Sequence, residues 1–120
     1  MDDREFDDAP LAMIRRVGRD ALAQKMIDLF LASGLERGAR IQAAHAAGDF
    51  TTAGREAHSL KSSAGQLGAV RLQRTCQRIE DAGKANDGVG IGALLPDFSA
   101  QLAAAEAWLR AGAPAANPSE

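Results

Sequence analysis

The sequence predicts an all-α fold, an antiparallel four-helix bundle with a short additional N-terminal helix, on three observations. Apolar residues recur three and four positions apart along most of the chain. Asp and Gly punctuate those stripes where helices would start and stop. The composition has no Tyr, one Trp and four Phe beside abundant Ala, a mixture that favours helix over strand.

The first helix is expected to begin at Asp8, a good N-cap residue, with Pro10 tolerated in its first turn. It carries Leu11, Met13 and Ile14 and ends near Gly18. A second, longer helix starts near Asp20. Its face of Ala23, Met26, Ile27, Phe30, Gly34, Ile41 and Ala44 runs to about Gly48. Arg37 interrupts that face, and Gly34 and Gly38 are poor helix formers, so a break within this stretch is left open. Asp49 caps a third helix with the stripe Phe50, Ala53, Ala57, Leu60, Ala64 and Leu67, and Gly68 ends it. A fourth runs from Ala69 to Ala85 with Leu72, Cys76, Ile79 and Gly83 inward. Asn86, Asp87 and Gly88 read as a turn. The fifth, between Ile91 and Leu109, places Leu94, Phe98, Leu102, Ala105 and Leu109 on one face, with Pro96 in its first turn. Residues 1–111 are thus expected to form one bundle domain. Residues 112–120, with two prolines and no periodic pattern, are expected to be a disordered tail.

A chain of 120 residues suffices for one core without metal or disulfide staples. A net charge of −2 excludes the basic field that a general nucleic-acid or anionic-membrane binder needs. No apolar run approaches the roughly 20 residues that span a bilayer. The acidic start, Met1-Asp2-Asp3-Arg4-Glu5, does not suit a signal peptide. One cysteine, Cys76, cannot form an internal disulfide. The expectation is a cytoplasmic monomer.

Chemistry concentrates in the third helix. By the rule of about 100° per residue, His58 lies roughly 120° from the centre of the apolar stripe and should face outward. Gly54 and Arg55 lie one turn before it, Lys61 and Ser62 one turn after, and Gly65 two turns after. Small residues around an imidazole serve either close helix packing or access for another protein's reactive group. Lys61 can reach an anion carried by the imidazole, and a phosphoryl group is such an anion.

The run His58-Ser59-Leu60-Lys61-Ser62-Ser63-Ala64-Gly65-Gln66-Leu67-Gly68 resembles the active-site signature of histidine-containing phosphotransfer (HPt) domains: H-x-L-K, then small residues, then Gly closing the helix. Gly48-Asp49-Phe50 and Ala57 are similar to the lead-in of that motif. Leu72, Cys76 and Ile79-Glu80 are similar to the helix that follows it. The likeness extends over roughly residues 8 to 110. It departs at Ser62, where many members have Gly; Ser is small and its hydroxyl can donate to phosphoryl oxygens.

The resemblance implies a histidine phosphotransfer protein. His58 would take a phosphoryl group from a receiver-domain aspartyl-phosphate and pass it to another receiver aspartate in a multistep phosphorelay. It implies response-regulator receiver domains and hybrid histidine kinases as partners. It also implies Mg²⁺ on the receiver, no cofactor or metal on this chain, and no autokinase activity. Glu80, 22 positions after His58, would sit beside the imidazole and fix its tautomer. Arg55 and Gln77 are further candidates for contact with the phosphoryl group or the partner, and Met13 and Ile14 for an exposed apolar docking patch. His45, at the edge of an apolar face, reads as a packing residue; Cys76 and Trp108 read as core.

The competing class is a helical adaptor of similar fold that binds signalling partners without phosphotransfer and would not need His58. A bundle metalloprotein fails on composition, since neither of the two histidines follows a Glu at the Glu-x-x-His spacing.

Overall fold

The computed structural model describes residues 4–114. Their helices are α1 (Ala9–Arg16), α2 (Asp20–Leu29), α3 (Leu35–Ala46), α4 (Phe50–Leu67), α5 (Val70–Lys84) and α6 (Gly88–Arg110). A π-helical turn, Phe30–Gly34, joins α2 to α3 with right-handed helical dihedrals at both junctions, so the three pieces make one rod. The break left open at Gly34 and Gly38 is therefore a widened turn within a continuous helix. Gly34 lies under the Phe30 ring, and Gly38 admits the Leu102 side chain of α6. Arg37, the polar interruption of the apolar face, reaches α4 and pairs with Glu56 at 3.0 Å.

This rod, α4, α5 and α6 form the antiparallel bundle, each helix touching its two neighbours, while α1 lies against α2 and α4. The core is aliphatic and small: Ile27, Ile41, Leu60, Leu72, Ile79, Ile91 and Leu109 around Phe98, with Ala53, Ala57, Ala64 and Ala105 filling close approaches. Two of the expected caps hold α4. The Asp49 carboxylate accepts from the Thr52 amide at 3.1 Å, and Gly68 ends the helix in the left-handed region at φ 89°. Gly68 is also required by contact: a Cβ there would lie 1.8 Å from the Asp7 carbonyl oxygen.

Three expectations need correction. Asp8 stands at the α1 N-cap without a side-chain capping bond; the Asp7 carboxylate accepts from the Ala9 amide instead. The last helix begins at Gly88, because Asp87 caps it by accepting from the Gly90 amide at 2.9 Å, so Pro96 sits inside the helix rather than in its first turn. Lacking an N–H, Pro96 omits one bond of the ladder at an exposed position. The expected tail begins at Gly112, yet residues 112–114 stay on the bundle. Ala113 is buried, the Trp108 indole N–H donates to the Pro114 carbonyl at 2.9 Å, and Arg15 donates to the Gly112 carbonyl. The remainder of the expected tail, residues 115–120, lies outside the described residues.

The N-terminal segment straps the same end. The Asp7 amide donates to the Gly68 carbonyl, the Val70 amide donates to the Glu5 carbonyl, and Phe6 stacks on Trp108 with ring centroids 4.4 Å apart. No helix among the described residues is long and apolar enough to cross a membrane.

Where α4 crosses α5, two glycines let the backbones meet. A Cβ on Gly83 would come 2.9 Å from both the Gly54 Cα and the Phe50 carbonyl oxygen, backbone atoms that cannot swing aside. Gly83→Ala is therefore expected to lower unfolding stability by about 1–3 kcal/mol, as overpacking does. A urea midpoint equal to that of the parent would show that the helices separate there without cost.

Candidate functional site

The register of α4 against α5 builds the site. From the crossing of Gly54 and Gly83, each turn up α4 is matched by a turn back along α5. His58 then meets Glu80, Lys61 meets Gln77, and Gly65 meets Gln73. Ala57, Leu60 and Ala64 anchor one helix in the core, and Leu72, Cys76 and Ile79 anchor the other, so the polar rungs run along the outer seam of the pair.

His58 is exposed over 61% of its side chain, as the wheel position requires. Its Nδ1 lies 3.0 Å from Glu80 Oε2. Glu80, by contrast, is buried, with 7% of its side chain exposed. Lys61 Nζ donates to Glu80 Oε1 at 2.6 Å and to Gln77 Oε1 at 2.8 Å. Lys84, one turn further along α5, places its ammonium 3.2 Å from Glu80 Oε2. The hydrogen bond from Lys61 is the main cause that holds the Glu80 carboxyl down to about 2; the bonds from Lys84 and His58 add to it, and burial opposes it.

An ionised carboxylate can only accept, so the shared hydrogen on the 3.0 Å contact belongs to His58 Nδ1. That fixes the tautomer of the neutral ring, with Nε2 as its unprotonated nitrogen. The imidazole stands in an open groove of about 710 Å³ lined by Thr51, Gly54, Arg55, Ser59, Gly83 and Lys84 beside His58 and Glu80. A nucleophilic nitrogen in a groove carrying Arg55, Lys84 and the neighbouring Lys61 suits attack on, and retention of, a compact anion.

The candidates named from sequence divide. His58, Lys61, Glu80 and Gln77 form one bonded cluster, and Arg55 lines its groove. Ser62 is exposed and does not line the groove. Beside Gly65 the Gln73 side chain occupies the space a Cβ would take. Gly54 is buried at the helix crossing, so packing is its role. Lys84 was not among the candidates, although a Lys four positions after Glu80 on a helix is a recognisable signal. On α1, Met13 is exposed at 61%, but Ile14 is half-buried against the core. Val17, one turn on, takes the exposed place expected of Ile14. The His45 Nε2–H donates to the Gly88 carbonyl at 2.9 Å, because a carbonyl only accepts, and this bond ties α3 to the start of α6. Cys76 is fully buried, and burial pushes its thiol up to about 12.

A family model described as the Hpt domain matches residues 25–112. Among solved structures, the crystal structure of histidine-containing phosphotransfer protein B (HptB) from Pseudomonas aeruginosa PAO1 superposes with a TM-score of 0.84 at 25% sequence identity. The superposition covers 93% of this chain and 96% of that one. No curated protein matches the chain.

The Glu80 arrangement predicts a pH dependence of stability. Its carboxyl is held near 2 in the fold against an ordinary 4.5, so its contribution is complete above pH 4.5 and is lost as the pH falls towards 2. Glu80→Gln is expected to flatten the fall of Tm across that window relative to the parent. Parallel Tm curves for the two proteins between pH 4.5 and 2 would contradict the arrangement.

Proposed function

The chain belongs to the Hpt domain family, and from that premise we propose that it is a phosphorelay intermediate that carries a phosphoryl group on His58 Nε2. The observation that carries this reading is the exposed imidazole whose Nδ1–H is engaged by a buried, ionised Glu80. Receiver domains charged on an aspartate would donate the group, and a second receiver aspartate would accept it. Such receivers occur alone and within hybrid histidine kinases.

In the forward step the Nε2 lone pair attacks phosphorus as the P–O bond to the donor aspartate breaks. The aspartate leaves as a carboxylate. The ring keeps its Nδ1 hydrogen and gains a positive charge, which Glu80 Oε2 faces at 3.0 Å. Charge is conserved: the two negative charges of the acyl phosphate end as one on the departing aspartate and a net one on the phosphoimidazolium, whose dianionic phosphoryl is offset by the positive ring. Lys61 is close enough to turn its ammonium from Gln77 and Glu80 towards the new phosphoryl oxygens. The Mg²⁺ that such a transfer uses belongs to the receiver. This chain contributes the nucleophile, its orientation and counter-charge, without nucleotide binding or autokinase activity. Docking over the groove would extend to Met13 of α1 and Val17 just past its end, an exposed apolar pair.

The test mixes the purified chain with a panel of receiver domains pre-charged on their aspartates, in Mg²⁺. Acid-labile, base-stable phosphate is expected on the parent and absent from His58→Gln. Lys61→Ala is expected to slow transfer at least about tenfold. Label that persists in His58→Gln would move the site, with His45 next in line. No label from any competent receiver would favour a helical adaptor that binds without phosphotransfer. On the docking face, Met13→Asp is expected to raise the receiver concentration for half-maximal transfer about tenfold; an unchanged value would place the partner elsewhere.

A further inference from the structure

Before phosphorylation, one carboxylate faces two ammonium groups. Glu80 Oε1 accepts from Lys61, while Oε2 is shared by Lys84 and the His58 Nδ1–H. The two lysines differ in situation. Lys61 is largely enclosed, 21% exposed and also bonded to Gln77, whereas Lys84 is 72% exposed. Arg55 lines the groove too, but the ammonium groups that contact the Glu80 carboxylate are those of Lys61 and Lys84.

A buried carboxylate stripped of its cation is strongly destabilised. If Lys61 turns to a phosphoryl group on Nε2, Glu80 Oε1 loses its partner. The carboxylate would then either draw Lys61 back or hold His58 less firmly, unless a second cation remains. We propose that Lys84 is that second cation. It is a positioning residue that keeps Glu80 compensated, and the His58 Nδ1–H engaged, while Lys61 serves the phosphoryl group. The inference rests on the phosphotransfer reading and assigns a division of labour within that site: two lysines for one carboxylate at rest, and one lysine for each of two anions once the group arrives.

The exchange is open to test without any phosphoryl group, because Lys61→Met imitates the departure of Lys61. In the full-length chain, ¹⁵N NMR of the imidazole reports whether Nδ1 carries the hydrogen. Lys61→Met and Lys84→Met are each expected to keep the parent's Nδ1-protonated tautomer, and the double variant to lose it. Loss in Lys61→Met alone would show that Lys84 does not stand in, and retention in the double variant would show that Glu80 needs neither lysine. Either result overturns the proposal whatever becomes of the phosphotransfer reading.

A second readout uses the chain loaded with phosphoramidate, which does not depend on a matching receiver. Phosphorylated Lys84→Ala is expected to lose the Nδ1–H signal that unphosphorylated Lys84→Ala retains. It is also expected to pass its group to a receiver at least about tenfold more slowly, with Lys84→Arg restoring both. Parent-like signal and rate in phosphorylated Lys84→Ala would overturn the proposal. Failure of the parent itself to load at His58 would count against the phosphotransfer reading, while the unphosphorylated series would still decide the role of Lys84. Lys84 is mostly exposed, so its variants should fold; should the double variant not fold, the loaded Lys84→Ala chain decides.

Discussion

The carboxylate of Glu80 sets the terms for this site. Among the described residues it is the one acid that the bundle buries, and a buried charge persists only with its counter-charges and hydrogen bonds in place. Lys61, Lys84 and the His58 imidazole supply them, from α4 on one side and α5 on the other. The consequence for the histidine is orientation. A surface imidazole would ordinarily sample several rotamers and both tautomers; here Nδ1 is committed to Glu80, and Nε2 is turned to solvent.

Such an arrangement demands a precise distance between two helices, and small residues provide it. Gly54 and Gly83 bring the α4 and α5 backbones to contact one turn from the His58–Glu80 pair, and the antiparallel register then repeats rung by rung. The rest of the fold holds that pair in place. The α2–α3 rod ties to α4 through Arg37 and Glu56, Gly38 lets α6 approach the rod, and the N-terminal strap closes over the turn between α4 and α5. The outer seam carries the reactive residues, while aliphatic and alanine side chains carry the stability, so substrate access and packing make few competing demands on the same atoms.

Much of this was legible in the chain. The stripes of α4 and α5 are regular, the Asp cap and Gly stop of α4 are unambiguous, and a helix wheel suffices to turn His58 outward. Local pattern failed where a tertiary contact decides. Gly34 and Gly38 look like helix breakers until the Phe30 ring and Leu102 occupy the space they leave. Asp87 looks like part of a turn, yet it caps a helix that opens Gly88-Val89-Gly90, and that moves Pro96 into the interior. Gly54 and Gly65 left close packing and access both open in the sequence; in the fold Gly54 meets Gly83, and the Gln73 side chain lies beside Gly65. Lys84 escaped notice because its significance depends on Glu80 being buried, and burial of a glutamate cannot be read from helical periodicity alone.

The most direct test of the central claim is which atom holds the phosphoryl group. The chain, labelled with ¹⁵N at its histidines and charged from an aspartyl-phosphorylated receiver, would be examined for one-bond coupling between ³¹P and the imidazole nitrogens. Coupling to Nε2 of His58, with a hydrogen still on Nδ1, is the predicted result. Coupling to Nδ1, or to a nitrogen of His45, would contradict the role assigned to Glu80 and with it the account of the site.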